Sequence, residues 1–286
     1  MIIILQVVFS GIFAGLVYGL ISIGLSLIWG IMDMVNFSHG DFMMLSMYFT
    51  FIAFSEFGLD PLFSLPFIVV IMFVIGMVVY RSTIRRMLGS EMVYQILLTF
   101  GMVVFLQSMA QFLWSANYKL IRDPIISGSI ALGGVFLQKG QVFGGFACLI
   151  TAGIIWWFIN NTKLGWALKA TAQNKGAAPL IGINVDKMFT LAWGIGIASV
   201  GVAGVLLANF YYIYPQIGTT FQLLALVAVA LGGFGSIPGA ILAGVMIGIV
   251  EAISGYFIEP AYKYVVVFSL YVLVVLVRPQ GMFGTH

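Results

Sequence analysis

Asp33, Asn36, Ser38, His39 and Asp41 crowd into the stretch from Gly30 to Asp41, GIMDMVNFSHGD. A histidine with two carboxylates is the raw material of a metal site or of an acid/base pair. The remaining members of such a set are missing. The other histidine, His286, stands at the far end of the sequence, and one histidine with two carboxylates on a turn more often caps helices than holds metal. No phosphate-binding loop is present either, because none of the lysines follows a glycine as the Walker A pattern requires. A polar break without a catalytic set points to transport. A membrane-embedded enzyme using His39 and Asp41 would need further convergent groups, and a passive channel for a small neutral solute is the other competing class.

The surroundings of this polar knot say where it must sit. Met1 to Met32 carries no Asp, Glu, Lys, Arg or His, and Phe42 to Ser55 is again apolar. Hydrophobic residues make up 62% of the chain, charged residues 7%, and the mean hydropathy is +1.13. Soluble domains carry about a quarter charged residues, so this is an integral membrane protein. Met188 to Val250 contains no Asp, Glu, Lys or Arg and far exceeds the roughly 20 residues of one crossing. Irregular polar backbone at membrane depth is tolerated only inside protein or beside water, which predicts that the break at Gly30 to Asp41 faces the interior of a helix bundle or an aqueous mouth.

The spans follow in order. Gln6 to Trp29 places Gly11, Gly15 and Gly19 on one face, a surface for close packing. Phe42 to Phe57, Leu62 to Tyr80, Met92 to Trp114 and Val142 to Ile159 come next, with Gln107 and Gln111 sharing a face of the fourth. Ser115 to Gln141 reads as a small extracytoplasmic hairpin. Phe189 to Tyr211 is rich in small residues and central, with Tyr211, Tyr212, Tyr214 and Pro215 forming an interfacial patch. Gln222 to Leu231 is too short to cross and stops at GGFGSIPGA, Gly232 to Ala240, the pattern of a second broken helix beside a transport pathway. Ala240, Gly244, Gly248 and Ala252 make a second small-residue stripe, Glu251 either pairs or lies at the boundary, and Ala261 to Val277 is the last span. The expected fold is one all-α polytopic domain over 1–286 with eight or nine passes and broken helices. The two breaks, at Gly30 to Asp41 and Gly232 to Ala240, are candidate halves of an internal repeat.

The long polar connection, 162–187, carries Lys163, Lys169, Lys175 and Lys187 against Asp186 alone. Like the cluster Arg81, Arg85 and Arg86, it belongs in the cytoplasm by the positive-inside rule, and so does the C-terminus. Trp166 to Asn174 and Ala177 to Ile181 read as short helices parted by Gly176 and closed by Gly182. Such pieces either lie on lipid or dock a partner. Cys148 excludes an internal disulfide, and the net charge of +3 includes no basic block of the kind that binds nucleic acid. The stretch MIIILQVVFSG lacks the positive flank of a cleavable signal and is expected to stay as the start of the first span.

Four segments carry a family resemblance in the same order. SIGLSLIWGIMDMVNFSHGDFMML, LIGIN, VALGGFGSIPGAILAGVMIGIVEA and the closing VRPQGMFG resemble the permease subunits of branched-chain amino acid ABC importers. The resemblance covers nearly the whole chain, with Asp41 standing where Glu is common and Lys169 and Gln173 where Arg and Glu are frequent. It implies a permease of the bacterial or archaeal cytoplasmic membrane that forms half of a translocation path, works with a second related permease, two cytoplasmic ATPase subunits and an extracytoplasmic binding protein, and carries no cofactor of its own. On this reading Asn36, His39, Asp41, Gly232, Gly233, Gly235 and Pro238 belong to the substrate path. Lys169, Ala172, Gln173, Asn174, Ala177, Leu180 and Gly182 belong to the ATPase-coupling segment. The uncharged interior suits a small zwitterion or neutral solute and leaves branched-chain amino acids, urea and short amides open.

Overall fold

A computed structural model describes residues 2–278 and 280–283. Part of the closing motif, Pro279 and Gly284, and the second histidine, His286, lie outside the described residues.

The fold is built around α1, Ile2–Met32, whose 31 residues span about 46 Å at 1.5 Å per residue. Its glycine stripe decides its main partner. Gly11, Gly15 and Gly19 lie against the stripe of α9, Ile237–Phe257, which supplies Ala240, Gly244, Gly248 and Ala252. A methyl on Gly15 would come within 2.6 Å of the Val245 backbone, so only glycine allows this approach of two helices. Around the rest of α1 stand α5 (Lys139–Asn161), α7 (Val185–Leu207) and α8 (Ile217–Gly232), with α2 (His39–Phe57) closing the ring between α7 and α8. The ring is weakest between α5 and α9, which scarcely meet.

Three helices lie outside this ring. α3, Pro61–Ser82, packs along α7 and α2, starting at an Asp60 cap that also accepts the Ile125 amide at 2.7 Å. α4, Met92–Trp114, leans on α2, and α10, Lys263–Val277, leans on α9 and α8. Their outward surfaces are apolar, as lipid demands. The segment after α4 contains the expected hairpin: β1, Ser129–Leu132, pairs antiparallel with β2, Val135–Gln138, through a turn in which Gly133 and Gly134 both adopt positive φ. The polar connection folds as α6, Lys163–Gln173, followed by a 3-10 turn at Ala178–Ile181 and a left-handed Gly182.

Among the described residues seven helices, counting the 3-10 turns that extend α3 and precede α10, are long and apolar enough to cross a membrane. The expected eight or nine passes comprise these and the two broken elements, α2 and α8.

The chain re-enters the bundle twice, and here the structure departs from the sequence reading of the repeat. After α1 the chain runs back inward through residues 33–38, so that His39 Nε2 meets the carbonyl of Ile21 at 3.1 Å, about 16 Å from the Met32 end. After α7 the chain turns at the opposite end, where Ile213 bridges to Lys119, and re-enters so that Gly218 lies against Gly40. The counterpart of the first break is therefore residues 208–216 and not Gly232 to Ala240. Sequence could not reveal this, because 208–216 is itself aromatic and uncharged. α1 with α2 and α7 with α8 form two helix, re-entry, helix units running in opposite directions, the inverted arrangement common in transporters.

Candidate functional site

The N-termini of α2 and α8 meet inside the bundle, and a side chain of α8 serves that of α2. Neither helix has a side-chain cap from its own N-cap residue. Instead Gln222, one turn into α8, accepts the Gly40 amide of α2 through Oε1 at 2.7 Å and donates through Nε2 to the Asn36 carbonyl at 3.1 Å. In return the Asp41 carboxylate lies over the first turn of α8, close enough that a methyl on Gly218 would be 2.8 Å from its Oδ1. Two helix N-termini present partial positive charge to one carboxylate, a favourable arrangement in a medium of low dielectric. Gly40 and Gly218 are glycine because their backbones touch; a methyl on Gly218 would be 2.7 Å from the Gly40 carbonyl oxygen.

A third helix reaches the same point. Gln107 Nε2, on α4, donates to Asp41 Oδ1 at 2.8 Å and to Thr219 Oγ1 at 3.0 Å. Thr219 is exposed while Asp41 is buried, so the cluster opens on the outer face of α8 between α4 and α10. A polar group exposed at membrane depth requires water or a protein partner there.

The residues expected from sequence separate into three places. Asn36 and His39 are fully buried scaffolding: Asn36 Oδ1 accepts from the Ser38 amide and hydroxyl, and His39 ties α2 to α1. Asp41 belongs to the α2, α4 and α8 junction. Gly232, Gly233, Gly235 and Pro238 lie elsewhere, at the end where α1 terminates; Gly235 packs on Gly30, Phe234 on Trp29, and Gly232 against the Gly239 backbone. Asp33, adjacent in sequence to the knot, is at that same end and pairs with Lys175 at 2.6 Å. His39, Asp41 and Asp33 therefore do not converge, and among the described residues no three His, Cys, Asp or Glu side chains gather as a metal site. Gln107, Thr219 and Gln222 complete the junction. Glutamines inside otherwise apolar spans were the available signal, but nothing in their spacing tells which would meet.

The α1 terminus, α6, the 3-10 turn and the 233–236 turn share one end of the molecule with the ion pair of Arg85 and Asp186 (3.0 Å), the latter also accepting from the Tyr80 hydroxyl. Of the coupling candidates, Ala172, Gln173, Asn174, Ala177, Leu180 and Gly182 are exposed there, Leu180 at 86%. Lys169 is exposed but turned back, its Nζ 2.6 Å from Asn160 Oδ1 at the end of α5.

The family model "Branched-chain amino acid transport system / permease component" matches residues 7–276. The chain belongs to this permease family. The permease is 35% identical to the high-affinity branched-chain amino acid transport system permease protein LivH of Escherichia coli (strain K12), over 98% of this chain and 95% of that one. It is 32% identical to the corresponding BraD protein of Pseudomonas aeruginosa, with the same coverage. A probable LivH of Methanocaldococcus jannaschii is 26% identical over 93% of the permease and 88% of the relative. No solved structure matches the chain. The all-α fold and the family together make the permease a multi-pass membrane protein.

Proposed function

We propose that this chain is the permease subunit of an ATP-driven importer of branched-chain amino acids, with the outer face of α8 as its half of the translocation path. The observation that carries the reading is the meeting of two oppositely directed helices, α2 and α8, at Asp41, Gly218 and Thr219 inside the bundle, in a chain similar over nearly its whole length to LivH and BraD proteins. From Thr219 the exposed side of α8 leads through Leu223 to the turn of Gly232 to Pro238 at the other end of the helix. A second, related permease facing this surface would enclose the path.

The end bearing α6 is the cytoplasmic one. Arg81, Arg85, Arg86, Lys163, Lys169, Lys175, Lys187 and Arg278 lie there, against Lys119, Arg122, Lys139 and Lys263 at the other end, which follows the positive-inside rule. The exposed edge from Ala172 to Gly182 is the docking surface for ATPase subunits, which hydrolyse ATP in place of this chain. Closure of those subunits would push α6 and rock α1 through the Lys175 and Asp33 contact, opening the path alternately to either side. A binding protein at the opposite end delivers the substrate, and the permease needs no cofactor.

The test is purification of the tagged, solubilised chain followed by mass spectrometry and ATPase assay with and without the extracytoplasmic binding protein loaded with leucine. Recovery of two ATPase subunits and a second permease, with hydrolysis stimulated by the loaded binding protein, is the expected result. A homo-oligomer without ATPase would overturn the proposal.

A further inference from the structure

The closing motif VRPQGMFG takes no part in the junction of α2 and α8, yet it reaches the far end of α8. Among the described residues, every other α-helix ends with one of its last carbonyls met by the amide of the residue that follows it. The Gly58 amide returns to Ala53 and Phe54 at the end of α2, for example, and the Thr162 amide to Phe158 at the end of α5. α8 has no such closure: Gly233 leaves it with φ 92° and ψ 131°, and the chain turns within 233–236 straight into α9. A helix end without a partner strands carbonyls that need one. The partner comes from beyond α10. The Met282 amide donates to the Leu231 carbonyl at 2.7 Å. Gly281 makes this approach possible, because it is buried, has a φ of 79°, and a methyl on it would be 2.6 Å from both the Ala230 carbonyl oxygen and the Gly233 nitrogen. Only glycine meets both the conformation and the space.

This strap stands at the cytoplasmic end, between two parts of the machinery. On one side is α8, whose exposed face leads from Thr219 to the turn at Gly232. On the other side Phe283 lines a cavity of about 720 Å³ whose walls include Ala172 and Gln173 of the docking edge. Met282 itself packs half-buried against the core. We propose, on the importer reading and a path along α8, that Gly281 and Met282 are positioning residues for transport: the strap caps α8 from a distance and fixes the cytoplasmic end of the path helix. With the cap in place the last turn of α8 stays helical and the short helix behaves as one piece. Without it that turn frays, as helix ends with unmet carbonyls do, and the inner mouth no longer follows the ATPase subunits. Hydrolysis then continues while substrate fails to pass.

The coupling ratio tests this. The full-length chain with its co-purifying subunits is reconstituted in vesicles, and leucine imported per ATP hydrolysed is measured with the leucine-loaded binding protein outside. Met282→Pro removes the capping amide, and Gly281→Ala forces the strap away from Ala230 and Gly233. Both assemblies should be recovered and hydrolyse ATP, with leucine per ATP lowered about ten-fold, the scale of one unmade buried hydrogen bond. Met282→Leu keeps the amide and an apolar side chain, and should match the wild type. An unchanged ratio in Met282→Pro would overturn the proposal, and so would a fall of uptake and hydrolysis in equal measure, which would make the strap an element of the fold alone. Amide hydrogen exchange over 229–236, read by mass spectrometry on the solubilised chain, tests the cap without any importer. Met282→Pro should exchange there about ten-fold faster than wild type, and an equal rate would overturn the cap. A wild-type assembly that imports no leucine would overturn instead the importer reading on which the transport role rests.

Discussion

Lys263 Nζ lies 2.6 Å from Glu251 Oε1, an ion pair that ties the first turn of α10 to the last part of α9. Tyr18, Tyr211 and Tyr264 stand around it, and the Ser254 hydroxyl reaches the Lys263 carbonyl at 3.4 Å. Glu251 is thus a paired charge, buried in the fold. Little else anchors α10, whose other faces point to lipid.

Removing one partner of such a pair strands a buried charge, whereas removing both does not. Lys263→Met should destabilise the chain by about 3 kcal/mol, and Glu251→Gln with Lys263→Met should regain most of that. Thermal unfolding in detergent reads both. A double variant no more stable than Lys263→Met would mean that the pair is not what holds α10.

The backbone contact of Gly40 and Gly218 tolerates no added atom. Either glycine replaced by alanine should push α2 and α8 apart and abolish uptake by the assembled importer. Gly101→Ala on α4, with open space around it, should leave uptake intact. Wild-type transport by Gly218→Ala would show that the junction need not be tight.

Gln222 satisfies two buried backbone groups, the Gly40 amide and the Asn36 carbonyl. Gln222→Leu leaves both unpaired at about 1–3 kcal/mol each, so a fall in unfolding temperature of several degrees is expected. Gln107→Leu removes a bond to the rim of the same cluster and leaves Asp41 without that donor. Its effect should fall on transport more than on stability, measured as uptake per assembled complex.

At the α6 end, exposure separates docking from folding. Arg85 and Asp186 form a half-exposed surface pair, worth under about 1 kcal/mol, so Arg85→Gln should barely move the unfolding temperature. Leu180 touches little of its own chain. Leu180→Ser should leave the fold unchanged and reduce the ATPase retained on purification about ten-fold, in the manner of an interface anchor. Full retention would place the docking surface elsewhere.

Much of this architecture was legible in the residues themselves. Hydropathy and length determine the long spans, since a bilayer accepts only apolar helices of about 20 residues; α4 spans the same residues as read, Met92–Trp114. Charge marks the basic end, and the turns at Gly133, Gly134 and Gly182 follow from the left-handed backbone that glycine allows. The stripe at Gly11, Gly15 and Gly19 announces close packing, and so does the stripe from Ala240 to Ala252, but neither names its partner; only the folded chain brings them together. The same holds at the site. Asn36, His39 and Asp41 stand out in sequence as polar residues in an apolar run, yet the tertiary structure sends Asp33 to one end, buries His39 against Ile21, and brings Asp41 to Gln107 and Gly218. Local sequence determines which segments are helical and where they must break, because propensity and hydration act residue by residue. Which breaks face one another is decided by long-range packing and by the need to pair every buried polar group, and neither is written in the order of the residues.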